Sequence, residues 1–305
     1  MLLDAASLYF RAFYGVPTSV TSPDGRPVNA VRGFLDMTAR LVAGHRPERL
    51  VACWDDDWRP AFRVAALPSY KAHRLAPDGG EEVPDELGPQ VPVLAAVLAA
   101  AGIANVGAPG YEADDVIGTL ATRAEGPVDV VTGDRDLFQL VDDERGVRVL
   151  YTARGITDIE IVDEAAVTAK YGIPGRAYGD FAVLRGDPSD GLPGVAGVGA
   201  KTAAALISEF GDLAGIREAV ARTVVPRAPL TAAVLRKLHA AADYLDAAPV
   251  VVAVARDIDL PPVDGTLPRR PADPAALAGL AAAHGLESPV KRLGAALGWP
   301  AGGLG

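Results

Sequence analysis

VDVVTGD, residues 128–134, is a short apolar run rich in β-branched residues that closes on a glycine and an aspartate. It reads as a strand whose end delivers a carboxylate. Working outward, the same pattern recurs in MLLD (1–4) and RLVACWD (49–55), and VRVLYT (147–152) is a fourth such run. Between them lie helix-length stretches, VNAVRGFLDMTARLVAG (28–44) and VPVLAAVLAAAG (91–102). Strands alternating with helices predict an α/β fold with a mostly parallel sheet flanked by helices. In open sheets of this kind the ligand crevice lies outside the carboxyl ends of the strands, so Asp4, Asp55 and Asp134 should converge there.

Between Trp58 and Pro92 the periodicity fades, and a basic segment gives way to the acidic APDGGEEVPDELGP, as expected for a long excursion above the sheet. From about residue 163 the chain reads as helical, with a Gly-rich break at 191–199 and helical patterns at 200–210 and 230–246. A β-like run, VVVAVARDIDL (250–260), is expected to return to the main body, and the Gly-rich end after Leu297 to fray. No run approaches the roughly 20 apolar residues that span a bilayer, and Met1 is followed by a strand rather than a basic leader. Cys53, the only cysteine, excludes an internal disulfide framework and a thiolate zinc site. A cytoplasmic monomer is the expectation.

A net charge of −10 is unusual for a protein that handles nucleic acid. The distribution changes its meaning, because eleven of the 39 acidic residues fall in five motifs: Asp4; Asp55 to Asp57; Glu112, Asp114 and Asp115; Asp134 and Asp136; Asp187 and Asp190. Each alone could be a helix cap or a turn residue. Gathered in one crevice, they would repel unless cations were present. Mg²⁺ suits hard oxygen ligands and bridges carboxylates to phosphate. The scattered His45, His73, His239 and His284 have no paired spacing and argue against a zinc hydrolase. Two ions about 4 Å apart can activate water for an in-line displacement without a side-chain nucleophile. By spacing, Glu112 and Asp115 share a helix face, and Asp114 points elsewhere unless the first turn is irregular. Asp134 and Asp136 point the same way from an extended segment. Each pair could then serve one ion.

Residues 186–210, GDPSDGLPGVAGVGAKTAAALISEF, place Gly191, Gly194, Gly197 and Gly199 before a helix starting near Ala200. Amides at that helix start, with Lys201, could hold a DNA phosphate without reading sequence. Together with DAASLYFRAF (4–13), RPAFR and SYKAHR (59–74), GYEADDVIGTLA (110–121) and TGDRDLFQL (132–140), this block resembles the 5′ nuclease or flap endonuclease superfamily. Within it the likeness is to the bacterial 5′–3′ exonucleases, also found as the N-terminal part of DNA polymerase I. The resemblance runs in order over roughly residues 1–290.

The resemblance implies a PIN-like (Rossmann-like) catalytic domain at 1–178, with a helical arch at about 58–92. It also implies a helical DNA-binding region at 179–297, with a helix–hairpin–helix-type (H3TH) motif at about 186–212. It assigns Asp4, Asp55 or Asp56, Glu112 and Asp114 to a first metal group. Asp134, Asp136 and Asp190 fall to a second, with Asp115 and Asp187 as helpers. Asp55 follows the strand's aromatic residue, whereas Asp56 better keeps the distance to Arg63, so choosing Asp55 assumes a one-residue insertion. Arg63, Lys71 and Arg74 match basic residues that contact the scissile phosphate. Lys71 and Arg74, three apart, would share a helical face. Gly194, Gly197, Gly199, Lys201 and Thr202 match the DNA-gripping hairpin, and Tyr9 or Phe10 could stack on a terminal base.

The implied activity is hydrolysis of DNA at 5′ ends and 5′ flaps, leaving a 5′-phosphate, with two or three Mg²⁺ or Mn²⁺ ions and room for K⁺ at the hairpin. With no polymerase body in the chain, a stand-alone enzyme acting beside a separate polymerase and ligase is expected. A PIN-like ribonuclease and a non-catalytic DNA-structure binder are the competing readings. The glycine hairpin weighs against the first and the complete acidic set against the second.

Overall fold

The structure, a computed structural model, describes residues 1–222 and 225–300. Its centre is a six-stranded sheet in the order β3-β2-β1-β4-β5-β6. Parallel strands β1 (Leu2–Asp4), β2 (Val51–Cys53), β3 (Ala104–Val106), β4 (Val128–Thr132) and β5 (Val147–Tyr151) are followed by antiparallel β6 (Glu160–Val162). The chain builds outward from β1 to β3, then crosses back and builds β4 to β6 on the other side. That reversal puts the topological switch point between β1 and β4, where their ends diverge and leave a crevice.

Adjacent apolar residues in β1, β4 and β5 face opposite ways and are both buried. Leu2, Val130 and Val149 join one hydrophobic cluster, and Leu3, Val131 and Leu150 join the other. A sheet covered on both faces gives the continuous apolar runs seen in its strands. Helices α1 (Ala5–Gly15), α2 (Asn29–His45) and, after the short α3 (Ala61–Ala66), α4 (Gln90–Ala101) contribute to the second cluster, and α5 (Ala113–Arg123) to the first. Strands β3 and β6 escape a reading of the sequence because three residues, one of them Asn105 or the exposed Ile161, carry too little pattern.

The second lobe contains α6 (Glu164–Tyr171), α7 (Tyr178–Arg185), α8 (Ala200–Phe210), α9 (Leu213–Arg222), α10 (Ala232–Ala240) and α11 (Ala242–Val252). Its apolar residues, among them Val195, Val198, Leu206 and Leu245, belong to the same cluster as the underside of the sheet, so the two lobes share a core. Two helices after residue 260, α12 (Pro274–His284) and α13 (Glu287–Ala296), return to the first lobe. Leu277, Val290 and Leu293 are buried there among residues of α2 and α4, and Arg292 pairs with Asp36. No helix among the described residues is long and apolar enough to cross a membrane.

The β-like run at 250–260 is corrected. Val250–Val252 close helix α11, and residues 253–260 form no strand. The segment nonetheless returns to the main body: the Ala255 amide donates to Asp115 at 2.8 Å, and Arg123 donates to the Ile258 carbonyl. Val251, Val252 and Val254 are buried without a ladder, Val254 beside Gly118 of α5, while Val250 is exposed, a choice that local propensity cannot register. Of the Gly-rich end expected to fray, residues 301–305 lie outside the described residues.

Candidate active site

At the switch point lies a hollow of about 340 Å³ lined by Asp4, Asp55, Glu112, Asp114, Asp134 and Asp187, with Lys71, Arg74 and Arg135 among its other walls. Asp4 ends β1 and caps α1: its Oδ1 accepts the Ser7 amide at 3.0 Å, and its Oδ2 accepts the Thr132 hydroxyl from neighbouring β4 at 2.6 Å. One carboxylate thus ties two strands and a helix together at the mouth. Asp55 follows β2 and accepts the Ala113 amide at 2.7 Å, which fixes the start of α5. Asp56 is exposed and lies against Gly107, away from the hollow.

The segment 58–92 carries α3 and one 3₁₀ turn, Ala72–Arg74; beyond it a bridge pairs Leu75 with Glu81. Lys71 and Arg74 reach the hollow without sharing a regular helix face, because Lys71 has left-handed backbone (φ 46°) and precedes the 3₁₀ turn. The Lys71 amide donates to the Asp190 carbonyl at 3.0 Å, and the Ser69 hydroxyl to that of Gly191. A Cβ on Gly191 would overlap the Ser69 carbonyl, so this close approach requires glycine. The basic segment is therefore docked on the start of the glycine hairpin.

Not every expected residue faces the hollow. Glu112 and Asp115 do lie together, as their spacing predicts, but what they share is Arg63. Asp115 is fully buried, and Asp114, which the spacing pointed elsewhere, lines the hollow. Arg63 is 3% exposed and does not line it, which corrects its placement beside a scissile phosphate. The motif residues 134–136 are not extended: Asp134 accepts the Asp136 amide at 2.9 Å, Asp136 opens a 3₁₀ turn, and of the two aspartates only Asp134 lines the hollow. Asp190 accepts from Arg74 at 3.4 Å. Tyr9 stacks against Trp54 and packs on the second cluster, leaving Phe10 at the wall of the hollow.

The hairpin follows directly. Asp187 accepts the Ser189 amide at 3.0 Å, while Gly194 and Gly197 take positive φ of 68° and 74°. A Cβ on Gly194 would stand 2.5 Å from backbone atoms of Arg185 and Gly186. The Gly194 amide donates to the Tyr244 hydroxyl of α11, and Lys237 of α10 donates to the Gly197 carbonyl at 2.7 Å. Gly199 precedes α8, with Lys201 exposed and Thr202 half-buried in its first turn. Amides at such a start have no partner within the helix. Sequence reasoning did not single out Ser7, Thr132, Tyr70 or Glu81, whose roles depend on neighbours far along the chain.

The electrostatics are those of crowded acids. Burial lifts the Asp4 carboxyl to about 7, against the hydrogen bonds from Thr132 and Ser7 and with added repulsion from Asp55 and Asp134. Burial likewise raises Glu112 to about 7, opposed by Lys71 and Arg63. Asp114 is held well above the carboxylate range by burial, then by Asp134 and Asp4, and Asp136 by burial, then by Asp134 and Asp190. One oxygen of Asp136 is buried with no hydrogen-bond partner. Among the described residues no three candidate ligands lie close enough together to cage an ion. The donors at the hollow are all oxygen, which suits a hard cation that retains waters and completes its shell with phosphate.

A deep acidic hollow at the switch point of a mostly parallel sheet, with a helical lobe and glycine hairpin beside it, defines the PIN-like α/β class with a SAM-like helical domain. The chain belongs to the 5′–3′ exonuclease family: the model for the 5′–3′ exonuclease N-terminal resolvase-like domain matches residues 1–172, and that for the C-terminal SAM fold residues 173–275. A 5′–3′ exonuclease of Streptomyces coelicolor is 62% identical over 299 residues, covering 96% of this chain and 98% of that one. A DNA polymerase I of Mycobacterium bovis is 46% identical over 217 residues, 70% of this chain but 23% of that protein. Among solved structures, the bacteriophage T5 D15 flap endonuclease, crystallised with DNA and metal ions, superposes with a TM-score of 0.64. It is 16% identical, with 97% of each chain covered.

Proposed function

We propose that the chain is a divalent-metal-dependent 5′–3′ exodeoxyribonuclease and 5′-flap endonuclease that hydrolyses DNA phosphodiesters by structure rather than base sequence. The observation that carries this reading is the joint placement of seven carboxylates, Glu81 among them, with Lys71 and Arg74 around one hollow. Of the carboxylates at the hollow, Asp4, Asp55, Glu112 and Asp114 would serve one ion and Asp134 with Asp187 another, through retained waters as well as directly, with Asp136 and Asp190 behind the second group; Mg²⁺ or Mn²⁺ meets the donor chemistry. Bound divalent ions would make water a nucleophile near neutral pH and offset the charge that builds on phosphate.

The chain's own groups do the rest. Lys71 and Arg74 offer the phosphate point charges and hydrogen bonds at the wall of the hollow. Lys71 donates to Glu112 in this structure, so an entering phosphate would have to draw it away. The amides at the start of α8, with Lys201, would hold a phosphate of the duplex at a second point and fix its register. K⁺ at the hairpin carbonyls, a monomeric state, and action beside a separate polymerase and ligase belong to the same proposal.

The test is an end-labelled 5′-flap duplex, a blunt duplex and a structured RNA, each incubated with Mg²⁺ and with EDTA. Cleavage of the DNA substrates with Mg²⁺ only is expected. RNA cleaved in place of DNA would make the protein a ribonuclease, and DNA bound but uncut would make it a structure-binding protein.

A further inference from the structure

We infer that Arg63 is a positioning residue: it sets the Glu112 carboxylate for a divalent cation and anchors it to helix α11, without touching DNA. The inference rests on the metal-dependent reading above and specifies how one carboxylate of that site is held.

All five guanidinium hydrogens are accounted for. Nε donates to the Val251 carbonyl at 2.9 Å; Nη1 donates to Glu112 Oε2 and Asp115 Oδ2, each at 2.7 Å; Nη2 donates to Asp115 Oδ1 at 2.7 Å and to the Ala253 carbonyl at 3.2 Å. With its donors engaged and its side chain buried, the group has nothing to offer a phosphate. Asp115 serves as its counter-ion, and also accepts the Glu112 and Ala255 amides at 3.2 and 2.8 Å.

The consequence falls on Glu112. Its Oε2 accepts from Arg63 and from the Tyr70 hydroxyl, the latter at 2.6 Å, which commits that oxygen to the protein interior. Its Oε1 is the oxygen met by Lys71 at the hollow, so Arg63 and Tyr70 together decide which oxygen a cation can reach. The clasp also joins the two lobes. Helix α11 ends at the carbonyls that hold Arg63, and near its start Tyr244 accepts the hairpin amide of Gly194 and donates to Val183 at 2.9 Å. A lysine has a point charge and three donors, and cannot span two carboxylates and two carbonyls.

The experiment uses full-length Arg63→Lys and Asp115→Asn. Mn²⁺ binding to the DNA-free proteins is measured by electron paramagnetic resonance. Binding of a 5′-flap duplex in EDTA is measured by anisotropy across a salt series. Both variants should bind Mn²⁺ about tenfold to a hundredfold more weakly, the usual effect of removing an outer partner of a ligand. Duplex affinity and its salt slope should be unchanged, and cleavage should recover as Mg²⁺ is raised. A fall in duplex affinity with a salt slope smaller by about one would make Arg63 a phosphate contact instead. Unchanged affinities for both would reduce it to a structural residue. If Arg63→Lys does not fold, the near-isosteric Asp115→Asn carries the same comparison alone. Failure of the wild type to bind Mn²⁺ would overturn the metal-dependent reading itself, a result separable from all of these.

Discussion

Asp4 is ordinary by position, a strand-ending cap, and unusual by environment. Its pKa of about 7, against an ordinary 3.8, means that the folded chain keeps a proton that the unfolded chain releases. Between those two values the metal-free protein therefore loses stability as pH rises. A divalent cation binds the ionised carboxylate, so its stabilising effect must change in the opposite direction. The rise in melting temperature produced by Mg²⁺ should be small at pH 5.5 and large at pH 8, as differential scanning fluorimetry would show; an equal rise at both would separate the ion from these acids. Asp134→Asn should cut the cleavage rate at least about a hundredfold, the scale on which loss of one transition-state contact is felt. Duplex binding in EDTA should stay within about twofold, and a quenched-flow assay beside an anisotropy titration would check both.

At the scale of elements, the arrangement depends on the basic segment seating against the hairpin. Gly191 is the contact point: its φ of 73° and its closeness to Ser69 leave no room for a side chain. Gly191→Ala should cost on the order of 1–3 kcal/mol as measured by urea unfolding. Because the same contact holds the Lys71 backbone, it should also lower kcat more than duplex affinity. Lys201→Ala, at the start of α8, is expected to act otherwise. It should weaken duplex binding for all sequences alike and reduce the salt slope by about one, with kcat at saturating DNA unchanged. The helices of the hairpin were legible because glycine spacing and apolar periodicity both mark them. The 3₁₀ turn at Ala72–Arg74 was not, since it is imposed by docking on residues 190–191 rather than by local preference.

At the scale of the molecule, the last two helices support a lobe from which they are remote in sequence. Leu293, fully buried between α13 and the first lobe, fills a core that includes Leu35 and Leu98. Leu293→Ala should destabilise the protein by about 2–5 kcal/mol, the cost of a cavity in a core that cannot collapse. DNA and metal affinities at 25 °C should remain as in the wild type, readable from chemical denaturation beside anisotropy. The shared core of sheet and helical lobe also explains how a single arginine can link hairpin and hollow.

The sequence by itself determined the sheet class, four of the six strands, the glycine hairpin and the set of acidic motifs, because each is written in local periodicity or in residue types that few environments accept. It also put Asp4, Asp55 and Asp134 at the strand ends that line the hollow. Only the tertiary structure decided which acids face the hollow and which are spent inside. Asp114 turns inward to the crevice and Asp115 to Arg63 because α11 brings two carbonyls that complete the guanidinium's partners. A carboxylate's fate is set by the donors that reach it, and here those donors come from chain as much as 140 residues away.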